Sequence, residues 1–429
     1  MSTTTTSATR ELGGAPRSAE VTPESFGRDV LGPVVAEFCL RLWTLGTQLE
    51  RPEDTAMLFC ARGGLRMQLA HERFLASSGL PTAVSLRPLM VSRLAAVRPV
   101  LVRTPREGLD HLLPSAAAAL AKEFAVLDLG AAVKALSGVG PEQLPAGAAA
   151  PLSQPFTPDG LAALLRSPDG ALVTEALEEQ ADLFVEHLRQ QLDGRQHALL
   201  VDTGLYGTTR DLLAEAGLRE QTSCALIARS FRPGTAADHR TYGLSVTAHD
   251  YSLLQRRSVL LRYWHFVEWL FEPPLRSTSR FERRADGRVV ADTEVDGWED
   301  LVVPAPGTPF AGVLAYLDAL PPAPAEKVVL DADRAWGQLH RAVVLPTPDH
   351  GWAMSVEARS HGFGREETWT QPEQRGLLEV LRSDGMWREG EVARSATPLR
   401  LPVLLAVEAL YGLRNGYRAV RRRAPIAKR

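Results

Sequence analysis

Two stretches of this chain show an apolar strand pattern that passes through a glycine-rich turn into a helical pattern, and they constrain the fold most. His197–Asp202 is a short apolar run that ends in an acid, and Thr203-Gly204-Leu205-Tyr206-Gly207-Thr208-Thr209 and a helical pattern over Arg210–Ala216 follow it. Earlier, Ala56–Cys60 precedes Ala61-Arg62-Gly63-Gly64 and a helical pattern over Leu65–Ser77. Strands that alternate with helices predict an α/β fold, a parallel sheet flanked by helices. Ligands of such sheets bind at the carboxyl ends of the strands.

Composition changes along the chain predict three regions. Residues 1–24 are rich in Ser, Thr, Gly and Pro and predict a disordered tail. Residues 25–272 contain the strand and helix patterns and predict the α/β domain. Residues 273–429 predict an accessory α+β region, with short antiparallel strands over 276–310 and a basic terminal helix, Tyr417–Arg423. Within the α/β domain, the Gly-, Pro- and Ala-rich stretch 137–160 predicts a long loop or a hinge.

Charge and cysteine content exclude several classes of protein. The 429 residues include 48 basic and 51 acidic side chains, for a formal charge of −3, so neither general disorder nor a basic nucleic-acid-binding surface is expected. Three separated cysteines predict neither a disulfide framework nor a zinc site. Met1–Ala8 lacks the apolar core of a secretory signal, and charges and a proline interrupt Leu399–Leu413. We therefore expect a cytoplasmic protein without a nucleic-acid or membrane partner, although the basic stretch Arg418–Arg423 leaves a membrane or protein contact open.

The turn from Asp202 to Thr209 has the residue types of an anion-binding loop. Glycines let the backbone approach a ligand closely, while hydroxyls, backbone N–H groups and a helix N-terminus favour negative charge. The stretch lacks the Walker lysine and the GxGxxG spacing, so ATP and NAD are not expected. It favours a phosphate monoester, with Asp202 on a sugar hydroxyl or a metal. The alternative is a structural turn with a threonine N-cap.

The turn Arg62-Gly63-Gly64 predicts a second anion site, because a glycine pair exposes peptide N–H groups and a guanidinium pairs with phosphate in a forked geometry. A purely structural turn is again the alternative. Since both turns follow strands of one parallel sheet, we expect them side by side, binding a ligand with phosphates at both ends.

The sequences FCARGGL (Phe59–Leu65) and LLVDTGLYGTT (Leu199–Thr209) resemble the pyrophosphate loop and the phosphoribosyl-binding loop of type I phosphoribosyltransferases. FGRDVLGPVVAEFC (Phe26–Cys39), PLMVSRLAAVRP (Pro88–Pro99) and YWHFVEWLFEP (Tyr263–Pro273) are similar to segments of phosphoribosyltransferase-like domains of bacterial polysaccharide clusters. They are also similar to segments of enzymes that ribosylate aminoglycosides of the ribostamycin, butirosin, neomycin and paromomycin type. The resemblance covers about residues 26–295. Thr203 stands where the family usually has a second acid, and the loop is one residue shorter.

The resemblance implies that phosphoribosyl diphosphate binds as a magnesium complex (Mg2+), with Asp202 on the ribose or on the substrate-bound ion. Arg87 and Arg93 would complete the diphosphate site, or would form surface ion pairs instead. The residues implied in binding the 5-phosphate and the diphosphate are Arg62, Gly63, Gly64, Arg87, Arg93, Asp202, Thr203, Gly204, Gly207, Thr208 and Thr209.

Transfer to an alcohol needs a base, because alcohols are weak nucleophiles. The apolar stretch Leu253–Phe271 predicts a helix, and spacings of three and four place His265, Glu268 and Glu272 on one face of it. Glu268, His265 and, in the preceding segment, Asp250 are the candidate bases. Glu268 and Glu272 are also candidates to bind ammonium groups of the acceptor. The alternative is an ion pair of Glu268 with Arg257 or Arg262.

We therefore expect a phosphoribosyltransferase that transfers 5-phosphoribose, with inversion and release of diphosphate, to a hydroxyl of an aminocyclitol or aminoglycoside intermediate resembling neamine or paromamine. A separate phosphatase would act on the product. The alternatives are ribofuranosyl transfer to a lipid-linked bacterial glycan and a non-catalytic sensor of phosphoribosyl diphosphate.

Overall fold

A five-stranded parallel sheet lies at the centre of the protein. This computed structural model describes residues 21–231, 239–356, 358–360, 368–370, 379–380, 386–395 and 398–423. The strands lie in the order β2-β1-β3-β4-β5 and all pairings are parallel. The predicted α/β class with a parallel sheet flanked by helices is confirmed. The strands of this sheet are β1 (Thr55–Cys60), β2 (Ser85–Leu89), β3 (His197–Asp202), β4 (Thr222–Arg229) and β5 (Thr241–Thr247).

Helices cover both faces of this sheet. The α-helices are α1 (Pro23–Phe26), α2 (Gly32–Thr47), α3 (Gly63–Ser78), α4 (Arg93–Leu101), α5 (Arg103–Arg106), α6 (Pro114–Glu123), α7 (Leu129–Ser137), α8 (Ala149–Leu152), α9 (Pro158–Arg166), α10 (Ala171–Leu192), α11 (Thr208–Leu213), α12 (Trp264–Phe271), α13 (Trp298–Val302), α14 (Pro309–Asp318), α15 (Ala325–Val344), α16 (Pro348–Ala353), α17 (Arg388–Arg394) and α18 (Arg400–Arg423). Short 3₁₀ segments are Pro52–Asp54, Pro141–Gln143, Ala146–Ala148, Pro168–Gly170 and Arg256–Leu261, and π segments are Gly27–Leu31 and Ala214–Leu218.

The central strands are continuous apolar runs because both of their faces are covered. Phe59 and Val201 point into one core, which α2, α3, α12, α14 and α15 complete. Leu58 and Leu200 point into the other core, which is completed by α4, α6, α7 and α9–α11. Successive side chains of a strand thus enter opposite cores, as the period of two requires.

The region after residue 272 packs on both sides of the sheet. The antiparallel pair β6 (Phe281–Arg283) and β7 (Val289–Ala291) confirms the predicted short antiparallel strands, and Phe281 packs in the core with α10. Phe310 of α14 and Trp336 of α15 pack instead in the core with α2. A second antiparallel pair, β8 (Ala358–Ser360) and β9 (Thr368–Thr370), follows. The division into domains at residues 272/273 stays a prediction.

Three predicted segments differ from the structure. The stretch 137–160 is not one long loop, because it forms short helical turns whose Leu152 and Phe156 are buried in the core. The predicted helix Leu253–Phe271 is broken at Tyr263, where φ is −129° and ψ is 56°, into a 3₁₀ segment and α12. The sequence reading also missed β5, an edge strand whose half-covered positions lack a clear apolar pattern.

The described chain begins just before α1. The Thr22 hydroxyl accepts a hydrogen bond from the Ser25 N–H and caps this helix. The predicted tail, residues 1–24, falls mainly on residues 1–20, which lie outside the described residues. Within the described part, the helical stretch Pro23–Thr47 is long and apolar enough to cross a membrane, but 67% of its most apolar window is buried inside the protein. Most of this window is therefore packed in the core of the protein.

Candidate active site

The two glycine-rich turns meet at the carboxyl ends of β1 and β3. In the order 2-1-3-4-5 these strands flank the switch point, where doubly wound sheets bind ligands. A Cβ added to Gly63 would lie 2.5 Å from Thr203 Cγ2, and one on Gly64 would lie 2.7 Å from the Phe59 carbonyl carbon. Only glycines allow this approach. The expectation that the two turns lie side by side is confirmed.

Asp202, the last residue of β3, is held by its own turn. Its Oδ1 accepts a hydrogen bond from the Gly204 N–H at 3.1 Å, and its Oδ2 accepts one from the Thr209 hydroxyl at 3.3 Å. Burial raises the pKa of Asp202, and the charge of Glu268 acts in the same direction. The two hydrogen bonds and the charge of Arg93 oppose this without cancelling it. The carboxylate is thus fixed in orientation and energetically disfavoured in its ionised form.

The rest of the turn leads into α11. Gly207 has φ of 67°, a left-handed conformation that favours glycine, and a Cβ there would also lie 3.0 Å from Thr241 Cγ2. Thr208 is half-buried at the first position of α11. Thr209 is buried and directs its hydroxyl to Asp202, so it orients the acid.

Two candidate bases lie together on α12. The His265 Nδ1 is 3.6 Å from Glu268 Oε2, and the side chains are 39% and 21% exposed respectively. The charge of Glu268 also acts on the pKa of Asp202, so the two carboxyl groups are within electrostatic range of each other. The structure therefore pairs His265 with Glu268 and couples Glu268 electrostatically to Asp202.

Arg62 and Glu272 form an ion pair across the site. Arg62 Nη2 is 2.7 Å from Glu272 Oε1, and Arg62 Nη1 donates to the Leu275 carbonyl at 3.3 Å. Both side chains are mostly buried, so each fixes the other. Sequence reasoning assigned them to different substrates and did not pair them.

Arg66 was missed by the sequence analysis. It lies one helical turn after Arg62 on α3, and its Nη1 donates to the Leu270 carbonyl at 3.4 Å and to the Glu272 carbonyl at 3.0 Å. Burial lowers the pKa of Arg66 to about 10. The guanidinium thus binds the end of α12, where cations are favoured. The spacing of four between two arginines, one before and one after the glycine pair, was the available signal.

The structure brings only one of the three remaining predicted residues near Asp202. Arg93 begins α4, where its charge acts on Asp202. Arg87 forms an exposed ion pair of 2.8 Å with Asp193, which precedes β3, so the structure does not bring Arg87 to this edge. Asp250 follows β5 and pairs with Arg418 of α18 at 2.9 Å, in a different cluster from Glu268.

The suggested ion pair of Glu268 with Arg257 or Arg262 is wrong. Arg257 pairs with Glu37 at 2.7 Å. Arg262 is buried between the carboxylates of Glu389 and Glu408. The break at Tyr263 explains this, because residues 256–262 do not continue the helix of Glu268 and the spacing of one continuous helix does not relate them to it.

Asp202 and Glu268 are the residues of this site that could hold a divalent cation. In the described residues no group of three or more His, Cys, Asp or Glu side chains is placed to hold a metal. Asp202 and Glu268 repel each other electrostatically, and a cation near them would relieve that repulsion. Mg2+ is commonly held by one or two carboxylates together with substrate phosphates. No protein-family model and no curated protein matches this chain.

Proposed function

We propose that this protein is a phosphoribosyltransferase that transfers 5-phosphoribose from phosphoribosyl diphosphate to a hydroxyl of an aminocyclitol or aminoglycoside intermediate. The observation that carries the proposal is the contact of the two glycine turns, Gly63 against Thr203, with Asp202 at the start of one turn and within electrostatic range of Glu268. A sugar with phosphate groups at both ends suits two glycine-rich turns that lie side by side, one of which begins with a carboxylate.

The donor binds along the edge formed by the two turns. The 5-phosphate lies on the backbone of Thr203–Thr209, and the diphosphate lies at Arg62–Gly64 with Arg93 nearby. Glu272 acts as a positioning residue, because it holds the Arg62 guanidinium at 2.7 Å. Asp202 would hold a magnesium ion bound to the diphosphate, or the ribose hydroxyls, and such an ion would neutralise charge on the leaving diphosphate. Thr209 and the Gly204 N–H keep the acid in place.

Transfer breaks the bond between ribose C1 and the diphosphate oxygen, and the diphosphate leaves with the electron pair. The acceptor hydroxyl attacks C1 from the opposite face, which inverts the configuration and gives a β-ribofuranoside. Glu268 takes the hydroxyl proton. His265, whose Nδ1 lies 3.6 Å from Glu268 Oε2, positions that carboxyl group.

The acceptor side would present the Glu268 carboxylate, which suits an amino sugar. Glu268 is the candidate for an ammonium contact as well as the base, since Glu272 is already paired with Arg62. The product retains the 5-phosphate, so a separate phosphatase has to remove it. We assign the reaction to the cytoplasm.

The direct test is mass spectrometry of the full chain incubated with Mg2+, phosphoribosyl diphosphate and a panel of aminocyclitols, sugars and nucleobases. We expect an aminocyclitol to gain one phosphoribosyl group. Asp202→Asn and Glu268→Gln should abolish product and keep the fold. Asp110→Asn and Glu178→Gln are matched controls, because both residues form exposed ion pairs elsewhere, and they should retain activity.

Thermal unfolding separates the possible failures. If phosphoribosyl diphosphate raises the melting temperature but no acceptor is modified, a non-catalytic sensor or a lipid-linked glycan acceptor replaces the proposed function. A sensor would keep that shift in Glu268→Gln. If Mg2+ and phosphoribosyl diphosphate cause no shift, the assignment of both turns is wrong.

A further inference from the structure

The inner side of α18 contacts the protein through polar as well as apolar side chains. Glu408 accepts a hydrogen bond from the Tyr251 hydroxyl at 2.6 Å and also pairs with the buried Arg262. Asn415 donates to the Tyr251 carbonyl at 2.6 Å, and Arg418 pairs with Asp250. The inner side of α18 therefore combines these polar contacts with two buried apolar residues, Leu404 and Val407, which are 1% and 5% exposed.

The opposite side of α18 is apolar and exposed. At 100° per residue, positions from 401 to 417 on this side contain only apolar residues, and we call them the outer face. Their larger members are exposed by between 51% and 72%. These members are Leu401, Leu405, Leu410, Leu413 and Tyr417.

A neighbouring loop enlarges this apolar surface. Leu254 is 98% exposed and Leu253 is 48% exposed. Leu253 adjoins the helix, because its Cδ1 lies 3.0 Å from the position that a Cβ on Gly412 would take. The outer face and residues 253–254 form one exposed apolar patch, a feature that marks an interaction site.

The charge of the C-terminal sequence favours one kind of partner for the outer face. Residues 400–429 contain eight basic side chains and one acidic side chain, although the whole chain has a formal charge of −3. The acid, Glu408, is already paired with Arg262. A second copy of this helix would bring like charges together, whereas an anionic lipid surface complements them. The basic residues are Arg400, Arg414, Arg418, Arg421, Arg422, Arg423, Lys428 and Arg429.

We propose that the outer face of α18, with residues 253–254, docks on the surface of an anionic lipid bilayer, with the helix lying in the plane of the membrane. Helices with leucines on one side and arginines on the other bind at the boundary between the lipid headgroups and the acyl chains. Arg400, Pro402 and Glu408 oppose a spanning helix, but they do not oppose one that lies flat. The proposal departs from the sequence expectation of no membrane partner, and it does not depend on the transferase activity.

Sedimentation of the full chain with lipid vesicles tests this proposal. We expect binding to vesicles of phosphatidylcholine with phosphatidylglycerol, little binding to phosphatidylcholine alone, and weaker binding as salt is added. The double variant Leu405→Ser, Leu413→Ser should bind these vesicles at least about tenfold more weakly than the unmodified chain. The matched control Val329→Ser, Leu330→Ser changes two exposed apolar residues of α15 and should bind like the unmodified chain.

Circular dichroism and light scattering complete the test. Both double variants should keep the helical spectrum and thermal unfolding of the unmodified chain, since all four side chains are exposed. Equal binding to neutral and anionic vesicles, or no binding to either, would overturn the proposal. A dimer that Leu405→Ser, Leu413→Ser converts to a monomer, without lipid binding by the unmodified chain, would overturn it in favour of a second copy.

Discussion

Replacing Gly63 with alanine probes the contact between the two turns. The new Cβ would lie 2.5 Å from Thr203 Cγ2 and 2.7 Å from its Oγ1, so the threonine or the turn has to move. Overpacking of this kind costs about 1–3 kcal/mol. Because Gly63 is the first residue of α3, alanine regains up to about 1 kcal/mol of helix propensity. We expect Gly63→Ala to lower the free energy of unfolding by about 0.5–2 kcal/mol.

The same change in a Thr203→Ala background gives the decisive comparison. That variant removes both of the nearest atoms and leaves only Thr203 Cβ, at 3.2 Å. Urea unfolding of the four proteins in a double-mutant cycle should show that Gly63→Ala costs at least about 1 kcal/mol less without the threonine. Gly64→Ala is the control, because its Cβ would meet the Phe59 backbone, which Thr203→Ala does not move. An equal cost of Gly63→Ala in both backgrounds would refute the contact.

Three further predictions concern buried charges and their partners. Asp202→Asn should raise the free energy of unfolding at neutral pH, because the pKa of Asp202 is raised above its ordinary value of 3.8 and its ionised form is disfavoured in the fold. This penalty on the unmodified chain disappears as the pH falls through the raised pKa. The unfolding free energies of the two proteins, measured across a pH series, should therefore converge at acidic pH. A difference that widens on acidification would contradict this prediction. Arg262→Met should lower the free energy of unfolding by about 3–5 kcal/mol in urea, because it leaves buried carboxylates without their cation, and a loss below about 1 kcal/mol would disprove this. Trp336→Phe should cost about 1–3 kcal/mol, because the Trp336 Nε1 donates to Glu37 Oε2 at 2.7 Å, whereas an unchanged unfolding midpoint would show that the bond contributes little.

The central strands could be predicted because burial on both faces makes each of them a continuous apolar run. His197–Asp202 was predicted with its observed bounds, and the adjacency of the two turns followed from parallel pairing alone. The edge strand β5 could not be predicted in this way. Only part of Thr241–Thr247 is covered, so its sequence mixes polar and apolar residues without a clear period.

The site was predicted where residues are close in sequence and not where they are distant. The spacing of His265 and Glu268 gave their common face on α12. The pairing of Arg62 with Glu272, 210 positions apart, has no local signal. The same limit explains Arg262, whose partners Glu389 and Glu408 belong to the last two helices. Ion pairs between distant segments depend on packing that no local pattern encodes.

The distribution of the region after residue 272 over both sides of the sheet has a consequence for synthesis of the chain. Phe281 and Phe310 enter opposite cores, so a nascent chain that ends at residue 272 leaves apolar surface uncovered on both faces. At about 5–20 residues per second, a ribosome takes roughly 4–17 s to add residues 273–356. During that interval the sheet is exposed to aggregation and to chaperones. A gene fragment ending at residue 272 would hold the polypeptide permanently in that incomplete state.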